Sequence, residues 1–281
     1  MMRITALLLL LLPFSVSAQQ TPSPDGAAQR LEWWKESRSN VYLNDFGELK
    51  RYRDANTALP AAKPDENRVV FYGDSITDMW KIAESFPGKP YINRGISGQT
   101  TSQMLVRLRQ DVINLHPKVV VILAGTNDIA GNTGPISLEG IEENIASITE
   151  LAQAHNIAVV WSSVTPVNNY TVQSQDFFAT RSPAKIVELN RWLKQYCADN
   201  HLIYLDYFSA MVDKDGLLRR DLAEDGLHPN AAGYAIMAPL AGEAIGEAMR
   251  KQKFAGETPP PEFVIYCFHR FTEIILVNLW F

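Results

Sequence analysis

From residue 68 onward, short apolar runs alternate with longer stretches of helical spacing. Arg68 to Tyr72 is a β-rich run and Tyr91 to Asn93 a weaker one. Lys118 to Ala124 is rich in Val and Ile and unbroken, as in a strand covered on both faces. Ile157 to Ser162 and Leu202 to Asp206 bring the expected strands to five. Helical spacing falls near 100–115, 136–155, 183–200 and 231–249, and Pro183 suits the first turn of its helix. This βαβ rhythm predicts a parallel sheet with helices on both faces. Upstream, residues 29–56 place Leu31, Trp34, Val41, Leu43, Phe46 and Leu49 at helical spacing, which predicts an N-terminal helical cap. Trp33 and Trp34 are expected to pack that cap on the domain; the alternative is a sugar-stacking platform.

The two ends read differently. Arg3, the apolar run Ala6 to Leu12 and the small residues Val16-Ser17-Ala18 follow the pattern of a cleaved export signal over residues 1–18, so a secreted or periplasmic protein is expected. Residues 19–28 are polar, with Pro22 and Pro24, and read as a flexible lead-in. The domain is expected over 29–252, followed by a Pro-rich linker at 253–262. Residues 263–281 form an aromatic, apolar tail that contains His269, Arg270 and Glu273. Those charges oppose a membrane span, although contact with a membrane surface stays open. Cys197 falls in an expected helix and should be buried and inert; its pairing with Cys267 is undecided.

Composition changes this picture little. With 46% apolar and 20% charged residues the chain is ordinary for a globular domain, and a net charge of −5 without basic clusters argues against nucleic acid as a partner.

Candidate chemistry comes from the positions just after each strand, because ligands bind beyond the carboxyl ends of an open parallel sheet. There lie Gly73-Asp74-Ser75, then Arg94-Gly95-Ile96-Ser97-Gly98-Gln99-Thr100, then Gly125-Thr126-Asn127-Asp128, and finally a long polar and aromatic loop, Thr165 to Ser182. His116, His155 and His201 each precede a strand, which puts them on the opposite edge, and His269 belongs to the tail. His228, in Asp225-Gly226-Leu227-His228, remains as the base for a serine nucleophile at Ser75. Asp225, three residues earlier, can reach the far ring nitrogen. The Ser75 and Gly98 amides and the Asn127 side chain can supply donors to an oxyanion. For Asp74, a brace on the Ser75 loop competes with a plain turn residue. Asn127 and Asp128 compete with helix-cap roles, and Asp128 with a loop brace. Asp225 competes with a turn, Ser97 with loop hydrogen bonding, and Thr100 and Thr101 with a helix start.

Taken in order, Gly73-Asp74-Ser75, the Gly98 loop, Gly125-Thr126-Asn127-Asp128 and Asp225-x-x-His228 resemble the blocks of the SGNH (GDSL) hydrolase family, from about Val69 to the last helix. The resemblance implies a flavodoxin-like three-layer α/β/α sandwich with a five-stranded parallel sheet, and acyl-ester hydrolysis without metal or other cofactor. It implies Ser75 as nucleophile, His228 as base, Asp225 as its orienter, and Ser75, Gly98 and Asn127 as oxyanion donors. Ile76 stands where the family pattern has leucine. A metal-dependent phosphoesterase is disfavoured, since only His228 lies on the correct edge.

The loops after the third and fourth strands are polar with scattered aromatics, and no large apolar lid is apparent. A short acyl group on a carbohydrate or small alcohol is therefore the expected substrate. A lysophospholipase or acyltransferase on the same residues, or a non-catalytic carbohydrate-binding relative, are the alternatives.

Overall fold

A computed structural model describes residues 41–256, together with positions 29, 33, 36, 38 and 39. The expected export signal, the lead-in, Trp34, Cys267 and the apolar tail lie outside the described residues.

Five strands form one parallel sheet in the order β2-β1-β3-β4-β5: β1 (Val69–Gly73), β2 (Tyr91–Gly95), β3 (Val119–Leu123), β4 (Ala158–Ser162) and β5 (Ile203–Leu205). The helices are α1 (Arg53–Ala58), α2 (Ser75–Asp78), α3 (Ile82–Ser85), α4 (Thr101–Asp111), α5 (Thr126–Ile129), α6 (Leu138–Ala154), α7 (Val172–Thr180), α8 (Pro183–Asp199), α9 (Tyr207–Met211) and α10 (Ala231–Gly256).

Side chains that alternate along each strand divide into two cores. Val70, Tyr72, Val120, Ile122, Val159 and Trp161 join Met104 and Leu108 of α4, Ile145 and Ile148 of α6, and Leu189 and Leu193 of α8. Val69, Phe71, Val121, Leu123, Val160 and Leu205 face the other way, onto Tyr207 of α9 and Met237, Ala241 and Ile245 of α10. The result is the three-layer α/β/α arrangement expected from the sequence. Both faces of the central strands are buried, so β1 and β3 can be apolar at every position but the closing glycine of β1.

The departures have local causes. The expected helix over 29–56 breaks after Asn44. The Asp45 carboxylate accepts from the Leu49 and Lys50 amides, and Glu48 takes a left-handed φ of 53°; such side-chain bonds compete with helix propagation. Trp33 is 69% exposed, so it does not pack the cap on the domain. The expected loop 165–182 contains α7, started by a reciprocal pair in which Thr171 and Ser174 each accept from the other's amide. Finally, α10 continues to Gly256, past the expected domain end at 252. Cys197 is buried in α8, and burial pushes its thiol up to about 12.

Candidate active site

Parallel strands deliver their carboxyl ends to one edge, and the chain order 2-1-3 leaves a crevice between the β1 and β3 crossovers. Asp74 leaves β1 and caps α2, its Oδ1 accepting from the Ile76 amide at 3.0 Å. Asp74 therefore braces the Ser75 turn. Ser75 is the first residue of α2, so its amide is one that a helix leaves without an intrahelical partner. The turn is tight: a Cβ on Gly95 would collide with the Asp78 backbone, so a glycine must end β2 for the two loops to meet.

The loop of residues 219–230, just before α10, brings the other partners over this turn. Ser75 Oγ lies 3.0 Å from His228 Nε2, and His228 Nδ1 lies 2.6 Å from Asp225 Oδ2. Asp225 Oδ1 accepts from the backbone amides of Leu227 and His228, at 3.0 and 2.8 Å. Burial alone would raise the Asp225 carboxyl, but the hydrogen bonds from the His228 ring and backbone and from Leu227 outweigh it and hold it at about 2. An ionised carboxylate only accepts, so the proton of a neutral imidazole sits on Nδ1 and Nε2 is free to accept from the serine hydroxyl. Phe177 of α7 meets the His228 ring edge to face, with centroids 5.5 Å apart.

Gly98 and Asn127 reach the same crevice. Gly98 has φ +82°, a conformation that suits glycine, and its carbonyl accepts from Asn132 Nδ2 at 2.9 Å. Its amide has no partner among the described residues. Asn127 lies inside α5 and does not cap it; Gly125 holds the cap position. Its Nδ2 donates to the Gln99 carbonyl at 3.1 Å, which leaves the second N–H of that amide unused by this bond. Asp128 braces the loops, accepting from the amide and hydroxyl of Thr101. Thr100 caps α4, and Ser97 bonds to Asp78 through its amide and hydroxyl, at 3.1 and 2.7 Å. Burial raises both Asp74 and Asp128 to about 6, against the opposing pull of their hydrogen bonds.

His116, His155 and His201 lie before β3, β4 and β5, on the opposite edge of the sheet. A cavity of about 590 Å³ opens there, lined by Pro117, Lys118, Asn156, His201 and Ala248 among others; no hydroxyl or carboxylate side chain lines it. Among the described residues, no group of three His, Cys, Asp or Glu is placed to hold a metal ion.

Two arginines in this region are absent from the sequence reading. Arg107 is fully buried. It donates to the carbonyls of Gly73 and Arg94 at 3.0 and 2.9 Å and to the Asp111 carboxylate at 3.1 Å, and it also bonds Gln99. It thus ties the Ser75 turn to the Gly98 loop. Its position carries a signal, since Arg107 and Asp111 stand four apart on the helix face of Met104 and Leu108. Arg181, just after α7, donates to Asn127 Oδ1 at 2.9 Å. Nothing in its local sequence distinguishes it from a solvated loop arginine.

Residues 71–236 match the model of the GDSL-like lipase/acylhydrolase family. A solved GDSL-like lipase from Bacteroides thetaiotaomicron is 41% identical; the match covers 73% of this chain and all of that one, with a TM-score of 0.67. The platelet-activating factor acetylhydrolase IB subunit alpha2 of Rattus norvegicus is 28% identical over 63% of this chain and 76% of its own. Some curated relatives are matched over less of their length. Uncharacterized lipoprotein YqeF of Bacillus subtilis is 29% identical over 37% of this chain, and the match spans under half, 46%, of that protein.

Proposed function

Because this chain belongs to the GDSL-like lipase/acylhydrolase family, we propose that it hydrolyses short-chain acyl esters, O-acetyl or similar esters of carbohydrates or small alcohols, through an acyl-enzyme on Ser75. One observation carries the reading: the Ser75 Oγ, His228 and Asp225 chain, with contacts of 3.0 and 2.6 Å.

In this mechanism Ser75 Oγ attacks the ester carbonyl while its proton passes to His228 Nε2. The C–O bond to the alcohol then breaks, and His228 returns the proton to the departing alkoxide. Water then attacks the acyl carbon while giving a proton to the same Nε2, the bond from that carbon to Ser75 Oγ breaks, and His228 returns the proton to Oγ as the acid leaves. Asp225 keeps the imidazole in the required tautomer and stabilises its protonated form. The Ser75 and Gly98 amides and the free N–H of Asn127 hold the negative oxygen of each tetrahedral intermediate.

The short acyl group is supported by the polar segments after β3 and β4, whose sequence holds no large apolar lid. The name of the acetylhydrolase relative is in accord with a two-carbon acyl group. The expected export signal would place the reaction outside the cytoplasm.

The reading is tested by initial rates on a panel of acyl chain lengths joined to aryl, sugar and phospholipid alcohols. The expected result is highest kcat/KM for acetyl esters of sugars or small alcohols. Preference for long chains on a phospholipid would transfer the site to lysophospholipids. Product analysis with a sugar acceptor present separates hydrolysis from acyl transfer.

Asn127→Ala should lower kcat by about 10²–10³-fold, the scale for one oxyanion donor. A change in KM with kcat intact would make Asn127 a binding residue instead. The acid limb of the kcat/KM profile should follow the imidazole base. With the Asp225 carboxyl held near 2, this carboxylate stays ionised as the pH falls to 4, so its protonation contributes nothing to that limb. A flat profile down to pH 4 would contradict a histidine base.

A further inference from the structure

Arg181 follows α7 in a segment whose composition reads as a substrate loop, yet its guanidinium is buried. Its backbone amide closes the helix on the Phe177 carbonyl at 3.1 Å, which fixes where the side chain starts. Nη1 donates to the Thr180 hydroxyl at 3.1 Å, and Nη2 donates to Asn127 Oδ1 at 2.9 Å. The guanidinium carbon sits 5.4 Å from the centre of the Phe177 ring, and that ring in turn abuts His228. Burying a charge is costly unless it is paired, and Nε has no partner among the described residues. Burial accordingly lowers the group to about 10, while the negative charges of Asp74 and Asp225 oppose that fall. It remains a cation at neutral pH.

We propose that Arg181 is a positioning residue for the oxyanion site, fixing which way the Asn127 amide faces. The proposal rests on the ester-hydrolase reading above. An asparagine amide can rotate by half a turn and exchange its oxygen for its nitrogen. A guanidinium has donors and no acceptor, so the flipped amide would set NH₂ against N–H. The same flip would set Oδ1 against the Gln99 carbonyl, oxygen to oxygen. Arg181 and Gln99 together therefore leave one orientation, with a free N–H available to the oxyanion. A cationic donor on Oδ1 also draws electron density from the amide nitrogen and strengthens that N–H as a donor.

Lysine is a poor substitute. Its ammonium is a compact point charge that cannot present a planar fork along the Phe177 ring while bonding Oδ1 and the Thr180 hydroxyl together.

The test is a double-mutant cycle on the full chain with an aryl acetate, comparing wild type, Arg181→Ala, Arg181→Lys, Asn127→Ala and Asn127→Ala/Arg181→Ala. Rates are expressed per site by fluorophosphonate titration, so that loss of folded protein does not enter kcat. The expected result is a kcat loss of about tenfold to a hundredfold in Arg181→Ala, below the ~10²–10³ for deleting an oxyanion donor itself, with KM little changed. Arg181→Lys should be slow as well. The double variant should fall within about twofold of Asn127→Ala alone, because Arg181 acts through a group already removed. Wild-type kcat in either arginine variant, or losses that multiply in the double variant, would overturn the proposal. If Arg181→Ala does not fold, Arg181→Lys and its own double with Asn127→Ala give the same comparison. A wild-type protein inert to the ester, or a Ser75→Ala variant that turns it over normally, would instead overturn the ester-hydrolase reading.

Discussion

Ser75→Ala is expected to lower kcat by about 10⁶-fold, the order seen when a nucleophile that acts as a unit with its base is removed. The substitution deletes one hydroxyl whose contact is the 3.0 Å bond to His228 Nε2. A bond of that kind contributes about 1 kcal/mol to folding, so the variant should stay folded with a melting temperature within a few degrees of wild type. Asp74 still caps α2 through the Ile76 amide, which does not involve the Ser75 side chain. The proposed oxyanion donors stay in place, so a small residual rate over water should survive. Circular dichroism and rates with an aryl acetate check both halves of this expectation. Near-normal turnover in a folded variant would remove Ser75 from the mechanism.

His228→Ala should be nearly as damaging, again about 10⁶-fold in kcat, because a serine hydroxyl without a base is a poor nucleophile. The variant also leaves the Asp225 carboxylate without the ring N–H at 2.6 Å, although its two backbone donors remain. The decisive comparison is the double variant Ser75→Ala/His228→Ala. Residues that act as one unit are not additive, so the double should be no slower than either single variant. Losses that multiply would mean that serine and histidine serve separate steps.

Much of this arrangement is legible in the sequence, for identifiable reasons. Unbroken Val/Ile runs mark strands buried on both faces, and the alternation of those runs with helical spacing sets a parallel sheet. Once the sheet is parallel, the residues after each strand must share one edge, and that rule separates His228 from His116, His155 and His201. The bond from Asp225 to His228 spans only three residues, which a turn can close. Sequence reading failed where side chains act across elements. Arg107 joins the ends of β1 and β2 to α4, and Arg181 joins α7 to α5; neither relation has a fixed spacing along the chain. It failed again where polar side chains redirect the backbone. Asp45 stops a helix that the apolar spacing would extend, and Thr171 with Ser174 start one in a stretch that reads as loop. Apolar periodicity does not register either effect, since both depend on hydrogen bonds to the main chain.

Covalent labelling of the active nucleophile tests the central claim most directly. The full chain is treated with a fluorophosphonate, residual esterase activity is followed, and the labelled peptide is sequenced by mass spectrometry. The account predicts one phosphonyl group per protein, carried on Ser75, with activity falling in proportion to labelling and no label on Ser75→Ala. Ester hydrolysis that persists in fully labelled protein, or inhibition by a label on another residue, would contradict it.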